Sequence, residues 1–479
     1  MFAVTMSPSM RCLLVALLAL AISCVSGKAS RAEQWTQLYF GVGVSADVVI
    51  RDLDFIRDAD NFVEFSGLGG GNLSGTIFVG ADFQVSPSLV VGAFAEHSWS
   101  DMETTVSLTS GDQQFSADLL SVAKSWAIGG RIGTPLTAAT LAFVSAGYSR
   151  VDFNGISFQE VNEDNFHFAR VSFDNFEGYF VGAGFEHRLN NNFSVRTEYR
   201  RTELNQKRTG ATVFSEDLAR GTYRMDPTIH SLKLSGVLRL GEARRSPADA
   251  ADVVADTEPR TAGSWTQFYV RGGFGVDGVT KDAELLWSNP LGASGFSVPA
   301  ETDGFGGGSL GVSITAGFDY QLSSLFVLGV FGTYDWSDVE TSMRIESAQQ
   351  GALSIDGSLL KFDNSWTVGV RGGILLTKST LLYGKAGYMA AEIDDFDLAV
   401  STNQGDLAFN VDFPSFSGLF IGAGIEQKLT NNISVRGDYR YASLNGQTAR
   451  DVDNDIAIDL KPDLHIARLM LLYRFGVGP

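Results

Sequence analysis

The sequence predicts an all-β fold: a transmembrane, antiparallel up-and-down β-barrel written as two tandem eight-stranded copies. Three observations carry this expectation. The chain repeats itself over some two hundred residues, its segments alternate with a period of two, and its connections alternate between short and long.

The repeat comes first. Residues 35–240 recur as 265–475. Trp35-Thr36-Gln37 returns as Trp265-Thr266-Gln267 at an offset of 230, and Trp99-Ser100-Asp101 returns as Trp336-Ser337-Asp338 at 237. Trp126, Arg131 and Gly147-Tyr148 return as Trp366, Arg371 and Gly387-Tyr388 at 240. The longest match sets Val181–Leu189 against Ile421–Leu429 and runs on to Leu204-Asn205 and Leu444-Asn445. A period this long marks a duplicated domain rather than a solenoid repeat. The offset drifts where insertions fall, so those places are loops.

The period decides the element type. In Phe193–Arg200, residues Phe193, Val195, Thr197 and Tyr199 share one face, while Ser194, Arg196, Glu198 and Arg200 share the other. The final segment sets Ala467, Leu469, Leu471, Tyr473 and Phe475 against Arg468, Met470, Leu472 and Arg474. Such segments approach the ~9–11 residues that a tilted strand needs to cross a bilayer. In the first copy they fall near 36–46, 75–86, 88–99, 124–134, 139–151, 177–188, 192–203 and 229–240. Short connections (Ser86–Ser88, Pro135–Ala139, Leu189–Asn191) alternate with long ones near 47–73, 101–123, 152–176 and 204–228. Short turns at one end and long loops at the other are the pattern of an outer-membrane barrel. Aromatic residues at strand ends (Trp99, Trp126, Trp336, Trp366, Tyr199, Tyr439) suit interfacial girdles.

The amino terminus reads as an export signal over residues 1–32. Arg11 precedes an apolar run from Leu13 to Ile22 that is too short to span as a helix, and a cleavage site falls at Ala32 before Glu33. The alternative is lipid attachment at Cys24. Cys12 and Cys24 are the only cysteines, so the mature chain offers no disulfide or zinc–thiolate site. Loss of Arg11, Lys28 and Arg31 takes the net charge from −19 to −22, which argues against nucleic acid as a partner. The domain reading is therefore a signal (1–32), barrel copy 1 (33–241), an acidic Ala- and Pro-bearing linker (242–262) and barrel copy 2 (263–479). Closing each copy on itself gives two barrels; closing all strands once gives a single sixteen-stranded barrel. The length of the linker favours two.

The phrases Gly-Ala-Gly-Phe-Glu-His-Arg-Leu-Asn-Asn-Asn-Phe-Ser-Val-Arg-Thr-Glu-Tyr-Arg (182–200) and Trp-Thr-Val-Gly-Val-Arg-Gly-Gly (366–373) carry a resemblance. They look like the small outer-membrane surface antigens of Gram-negative bacteria, the OmpA-like eight-stranded "porin family". The resemblance covers both copies, where family members normally carry one. It implies an outer-membrane location, contact with outer-membrane lipid and lipopolysaccharide, and handling by the barrel-insertion machinery. It also allows an extracellular ligand held by the loops.

Charges on the inward face form the candidate site. Copy 1 supplies Arg131, Glu186, Arg196, Glu198 and Arg239, with Lys233; copy 2 supplies Arg371, Glu426, Arg436, Asp438 and Arg474, with Arg468. Opposite charges inside a narrow lumen are expected to pair and plug it. The expected role is a structural surface barrel without enzymatic activity, cofactor or metal. The alternatives are a diffusion porin for small hydrophilic solutes and a haem-binding or adhesive receptor, the haem reading resting on His97, His167 and His230. His230-Ser231 are strand neighbours facing opposite ways, so they cannot form a nucleophile–base pair. Asp451–Asp455 opens like a calcium loop, but Ile456 and Pro462 stand where the turn glycine and closing glutamate belong. The glycine runs 67–72 and 304–309 lack the Lys-Ser/Thr of a phosphate loop and read as flexible lead-ins to the second strand of each copy.

Overall fold

The computed structural model describes residues 35–240 and 264–475, apart from 59–60, 111–112, 154–155, 162–165, 172, 174, 211, 214–221, 288–297, 348–352, 395, 403–404, 412 and 452–455. The export signal with Cys24, the linker 242–262 and most of the Asp451–Asp455 segment lie outside the described residues.

Every regular element described is a strand. Copy 1 contributes β1 (Gln37–Asp58), β2 (Asn61–Ser86), β3 (Leu89–Ser110), β4 (Gln113–Pro135), β5 (Thr140–Phe153), β6 (Phe176–Arg188), β7 (Phe193–Leu204) and β8 (Thr222–Leu240). Copy 2 contributes β9 (Gln267–Trp287), β10 (Val298–Gln321), β11 (Phe326–Ser347), β12 (Leu353–Thr377), β13 (Thr380–Asp394), β14 (Phe416–Lys428), β15 (Ile433–Leu444) and β16 (Ile456–Phe475). Short outer strands, such as Ile156–Val161 and Phe396–Thr402, extend the sheets beyond these.

The ladders close twice. β1 pairs with β2 (Leu38↔Ala81) and also with β8 (Leu38↔Leu240). β9 does the same with β10 (Phe268↔Phe318) and β16 (Phe268↔Phe475). Among the described residues each copy is thus its own antiparallel eight-stranded barrel, closed by its own first and last strands rather than in one sixteen-stranded circuit. At the turn ends the strands fall within a residue or so of the sequence expectation. At the outer ends they run much further, because the supposed loops keep alternating: β1 continues through Val49, Arg51 and Leu53, all buried, to Asp58.

The two barrels lean on one another through equivalent residues. An ideal Cβ on Gly437 of β15 would lie 2.5 Å from Thr197 Cγ2 of β7, its own counterpart at offset 240. A shared cluster joins Ala46 with Val276, Leu232 with Ala467, and Tyr199 with the edge of Tyr439; each is a pair of equivalent positions. Tyr199 meets Phe274 edge-on at 5.9 Å. Contacts that pair a patch with its own copy define an approximate two-fold, isologous interface. Away from it the outward face is open, as at Leu419 (73% exposed) and Ile421 (65%), whereas Tyr199 is 3% exposed.

Above this contact the strands change partners. The β2–β3 ladder ends at Gly75↔Trp99, and the β10–β11 ladder ends at the equivalent Val312↔Trp336. Beyond those points β2 pairs with β11 of the other copy (Ser342↔Ser66), and β10 pairs with β3 (Asp303↔Thr105). The crossover is made by the glycine runs, where Gly306 pairs with Gly69. Gly67 has φ +71°, and a Cβ there would sit 2.1 Å from the Glu340 carbonyl oxygen. A Cβ on Gly69 would sit 2.2 Å from the Val49 carbonyl oxygen. Two backbones pass too closely there for side chains. The runs are therefore a strand crossing and not flexible lead-ins; at Gly67 the partner that demands glycine belongs to the other copy.

An ideal Gly437 Cβ lies 3.5 Å from Thr197 Cβ, at the edge of the ~3.5–4.5 Å that a disulfide spans. A T197C/G437C double variant is expected to oxidise. With a protease site placed in 242–262, the cleaved halves should migrate together until reductant is added; halves that part without reductant would show that this contact is absent.

Candidate functional site: the charged lumens

Near the turn end of copy 1, five strands aim charges at one another. Glu186 of β6 accepts from Arg131 Nη1 (2.9 Å), Arg196 Nε (3.0 Å), Arg239 Nε (2.9 Å) and Ser194 Oγ (2.7 Å). Asp82 of β2 accepts from Arg131 Nε (2.9 Å) and Arg239 Nη2 (3.1 Å), and also ion-pairs with the Arg131 Nη2. All five charged side chains are buried. Local sequence makes this possible, since each sits at an inward position close to a short turn, where tilted strands bring their ends together. Aromatic rings fill the gaps. The Arg196 guanidinium carbon lies 4.7 Å from the Tyr39 and Phe78 ring centres, and that of Arg239 lies 4.7 Å from Trp35. Stacking on rings supports guanidinium groups that have left bulk water.

A second tier lies above. Arg200 of β7 bridges Glu96 (2.9 Å) and Glu198 (3.1 Å), Lys233 of β8 pairs with Glu96, and Ser145 Oγ donates to Glu198 (2.6 Å). Over it opens a polar cavity of about 50 Å³, room for a few waters, lined in part by Asp47, Ser74, Ser98 and Ser231.

Copy 2 repeats the lower tier. Arg371 donates to Asp319 (2.8 Å) and Glu426 (2.9 Å); Arg474 donates to Asp319 (3.0 Å) and also pairs with Glu426. Its upper tiers are wired differently. Arg436, whose counterpart Arg196 serves Glu186, here pairs with Asp438 (2.9 Å) and donates to Tyr383 Oη. Asp438 also accepts from Lys385 (2.7 Å) and Tyr383 (3.0 Å). Arg468 holds Asp277 through two bonds of 2.5 and 2.9 Å, and Arg440 holds Asp335 at 2.5 Å. Above these, the interior is apolar and tightly packed, with Phe331, Phe362, Met389, Phe416 and Leu464 in one cluster.

All ten charges singled out from sequence point inward, but they do not form one set per barrel. They divide into a lower quartet and upper tiers. Sequence reasoning missed Asp82 and Asp319, which complete the quartets, and also Glu96, Asp277, Asp335 and Lys385. Asp82 and Asp319 match at offset 237 on an inward register, a signal that was present in the repeat.

The histidines lie elsewhere. His230 is on the outward face of β8 at the inter-barrel contact, where its Nδ1 lies 2.9 Å from Tyr199 Oη; His465 repeats the arrangement with Tyr439 at 2.7 Å. His97 packs beside Trp99, ring centres 6.0 Å apart. His167 lies on the outer strand Phe166–Val171. Among the described residues no cluster of three potential metal ligands occurs.

Closed antiparallel barrels with lipid-exposed outer faces and charged interiors define an outer-membrane β-barrel protein. The model of the family described as outer membrane protein beta-barrel domain matches residues 16–230 and again residues 250–475, and the chain belongs to that family. The 31 kDa outer-membrane immunogenic protein of Brucella melitensis is 28% identical over 183 residues, covering 37% of this chain and 70% of that protein; its Brucella suis counterpart matches equally. Solved structures similar to this one include Ail, the attachment invasion locus protein of Yersinia pestis (15% identity, 44% of this chain and 99% of that one, TM-score 0.21). A Pseudomonas aeruginosa FadL homologue is also similar (10% identity, 92% and 91% covered, TM-score 0.28). The protein is located in the Gram-negative outer membrane, in its lipid and lipopolysaccharide environment.

Removing one member of a buried charge pair typically costs about 3–5 kcal/mol, because the other is left uncompensated. Glu186→Ala removes an acid shared by three arginines, leaving Asp82 to serve Arg131 and Arg239, and Arg196 without its carboxylate. It should lower barrel stability by that order, read as an earlier urea midpoint for loss of the fast-migrating folded band. Glu426→Ala removes an acid shared by two arginines that both keep Asp319, and should lose less. A Glu186→Ala protein within ~0.5 kcal/mol of the parent would mean the lower tier carries no stability.

Proposed function

We propose that this is a structural surface protein of the outer membrane whose two lumens are shut by their own side chains and whose outer sheet meets the surroundings. The observation that carries this is the lower quartet, present in both barrels, in which two acids and two or three arginines span the interior and fill it. An eight-stranded barrel has an interior about the width of its own side chains, so a buried quartet leaves no continuous water path for a hydrophilic solute. The outer extensions, where strands of both copies interleave, are the part that an extracellular ligand, host surface or antibody would meet. The Brucella relative is itself described as immunogenic, which fits such exposure.

Refolded full-length protein in a planar bilayer is expected to give no steady unitary conductance. Large, reproducible channels from the unsubstituted chain would reject the shut-lumen reading in favour of a diffusion porin. Replacing both acids of a quartet, Asp82→Ala with Glu186→Ala, should instead produce noisy, intermittent openings.

A further inference from the structure

Where the barrels meet, their curved outer walls leave a cleft on one side of the contact. Its volume is about 710 Å³, and its walls are almost wholly apolar; they include Ile132, Val144, Phe185, Phe274, Val435 and Leu471. Copy 1 supplies the first three and copy 2 the rest, so neither barrel alone makes the site. The cleft begins at the level of the short turns, beside Leu136 and Leu429, and is roofed by the edge-on contact of Tyr199 with Phe274. We propose that this cleft is a binding site for an acyl chain of a phospholipid from the periplasmic leaflet, held between the barrels apart from the exchanging lipid around them.

Three observations select that occupant. The first is depth. From the start of β9 at Gln267 to Phe274 is seven residues, which at ~3.3 Å rise and ~45° tilt comes to roughly 16 Å, about one leaflet of a ~25–30 Å apolar zone. An occupant reaching in from the turn side meets the aromatic roof near mid-membrane. The second is continuity. The walls run into the lipid-exposed face without a charged rim, through Ile132 (57% exposed) and Leu471 (59%). The third is chemistry. The lining presents no charged side chain, so a hydrocarbon chain is favoured over any polar or ionic molecule. An empty apolar void of this size would also forfeit its dispersion contacts.

The test uses the full-length chain in vesicles of phosphatidylethanolamine and phosphatidylglycerol containing a phospholipid with a photoactivatable acyl chain. Irradiation should label peptides carrying Val144, Phe185 and Phe274 well above those carrying the open lipid face at Leu419 and Ile421. After exchange into detergent, native mass spectrometry should find retained phospholipid. Val144→Trp and Ala183→Trp each fill the cleft by the volume of a few methylenes and should lower retention about tenfold. Leu419→Trp, on the far face, should leave it unchanged, and heat-modifiable migration checks that every variant folds. Uniform labelling of all outward faces, or retention that the two filling variants do not reduce, would overturn the proposal. Labelling of the cleft by a lipopolysaccharide-derived probe but not by phospholipid would overturn the choice of leaflet.

Discussion

Hydrocarbon offers no hydrogen-bond partner to a peptide group, and most of this structure follows from that constraint. A sheet crossing lipid cannot keep an edge. Copy 1 removes its edges by pairing β1 with β8, and copy 2 by pairing β9 with β16. Closure at eight strands fixes the interior width, and the width fixes the chemistry inside. Alternate side chains must point into a space that holds little water, so charges placed there must find one another. Glu186, with its arginines and serine, is what that requirement looks like when it is met.

The same constraint explains why the two barrels lock together above the membrane. Within lipid, apolar side chains gain little by leaving lipid for protein, because both surroundings are equally apolar. The cluster around Tyr199, Val276 and Ala467 therefore fits shapes together more than it drives association. Outside lipid, water competes for backbone groups, and a strand end that crosses to the other barrel gains a ladder only if its partner reciprocates. β2 with β11 and β10 with β3 reciprocate. Both copies carry the same glycine run, so the crossing backbones can approach at equivalent points, Gly69 against Gly306. A tether between the copies raises their effective concentration for one another, and it lets a self-complementary patch be satisfied within one chain.

Barrel strands were legible because lipid and lumen impose opposite chemistry on alternate residues, a rule written locally in stretches such as Phe193–Arg200. Their inner ends were legible for the same reason, since the short turns interrupt the alternation. The outer ends were not. Polar residues between 47 and 73 resemble a loop when no partner strand is in view, although the Val49–Arg51–Leu53 register continues the alternation. The glycine crossing was invisible for a stronger reason. What forbids a side chain at Gly67 is the Glu340 carbonyl, 273 residues away and in the other copy. The charged interior was half legible. Arginines and glutamates stand out on an inward register, whereas Asp82 sits between Ala81 and Phe83 and shows its role only once Arg131 and Arg239 converge on it.

Comparison of the two lumens separates what closure demands from what it merely permits. The lower quartet is the same in both: Asp82, Arg131, Glu186 and Arg239 correspond to Asp319, Arg371, Glu426 and Arg474. Immediately above, the copies diverge in linked steps. Gly41 becomes Arg271 and Phe78 becomes Thr315, so a ring gives way where a guanidinium arrives; a Cβ on Gly41 would have lain 2.0 Å from the Phe78 ring. Phe143 becomes Tyr383 and Ser145 becomes Lys385, and Arg436 turns from the glutamate to Tyr383 and Asp438. In a quartet each arginine serves two acids on different strands, so one replacement breaks several bonds at once. In the upper tiers Arg200 and Arg468 also bridge two acids, but the residues that pair differ between the copies, and neutrality is restored by another residue on the same inward register. The shared quartet is therefore the part of the interior that closing eight strands constrains, and the tiers above it are where the two copies were free to differ.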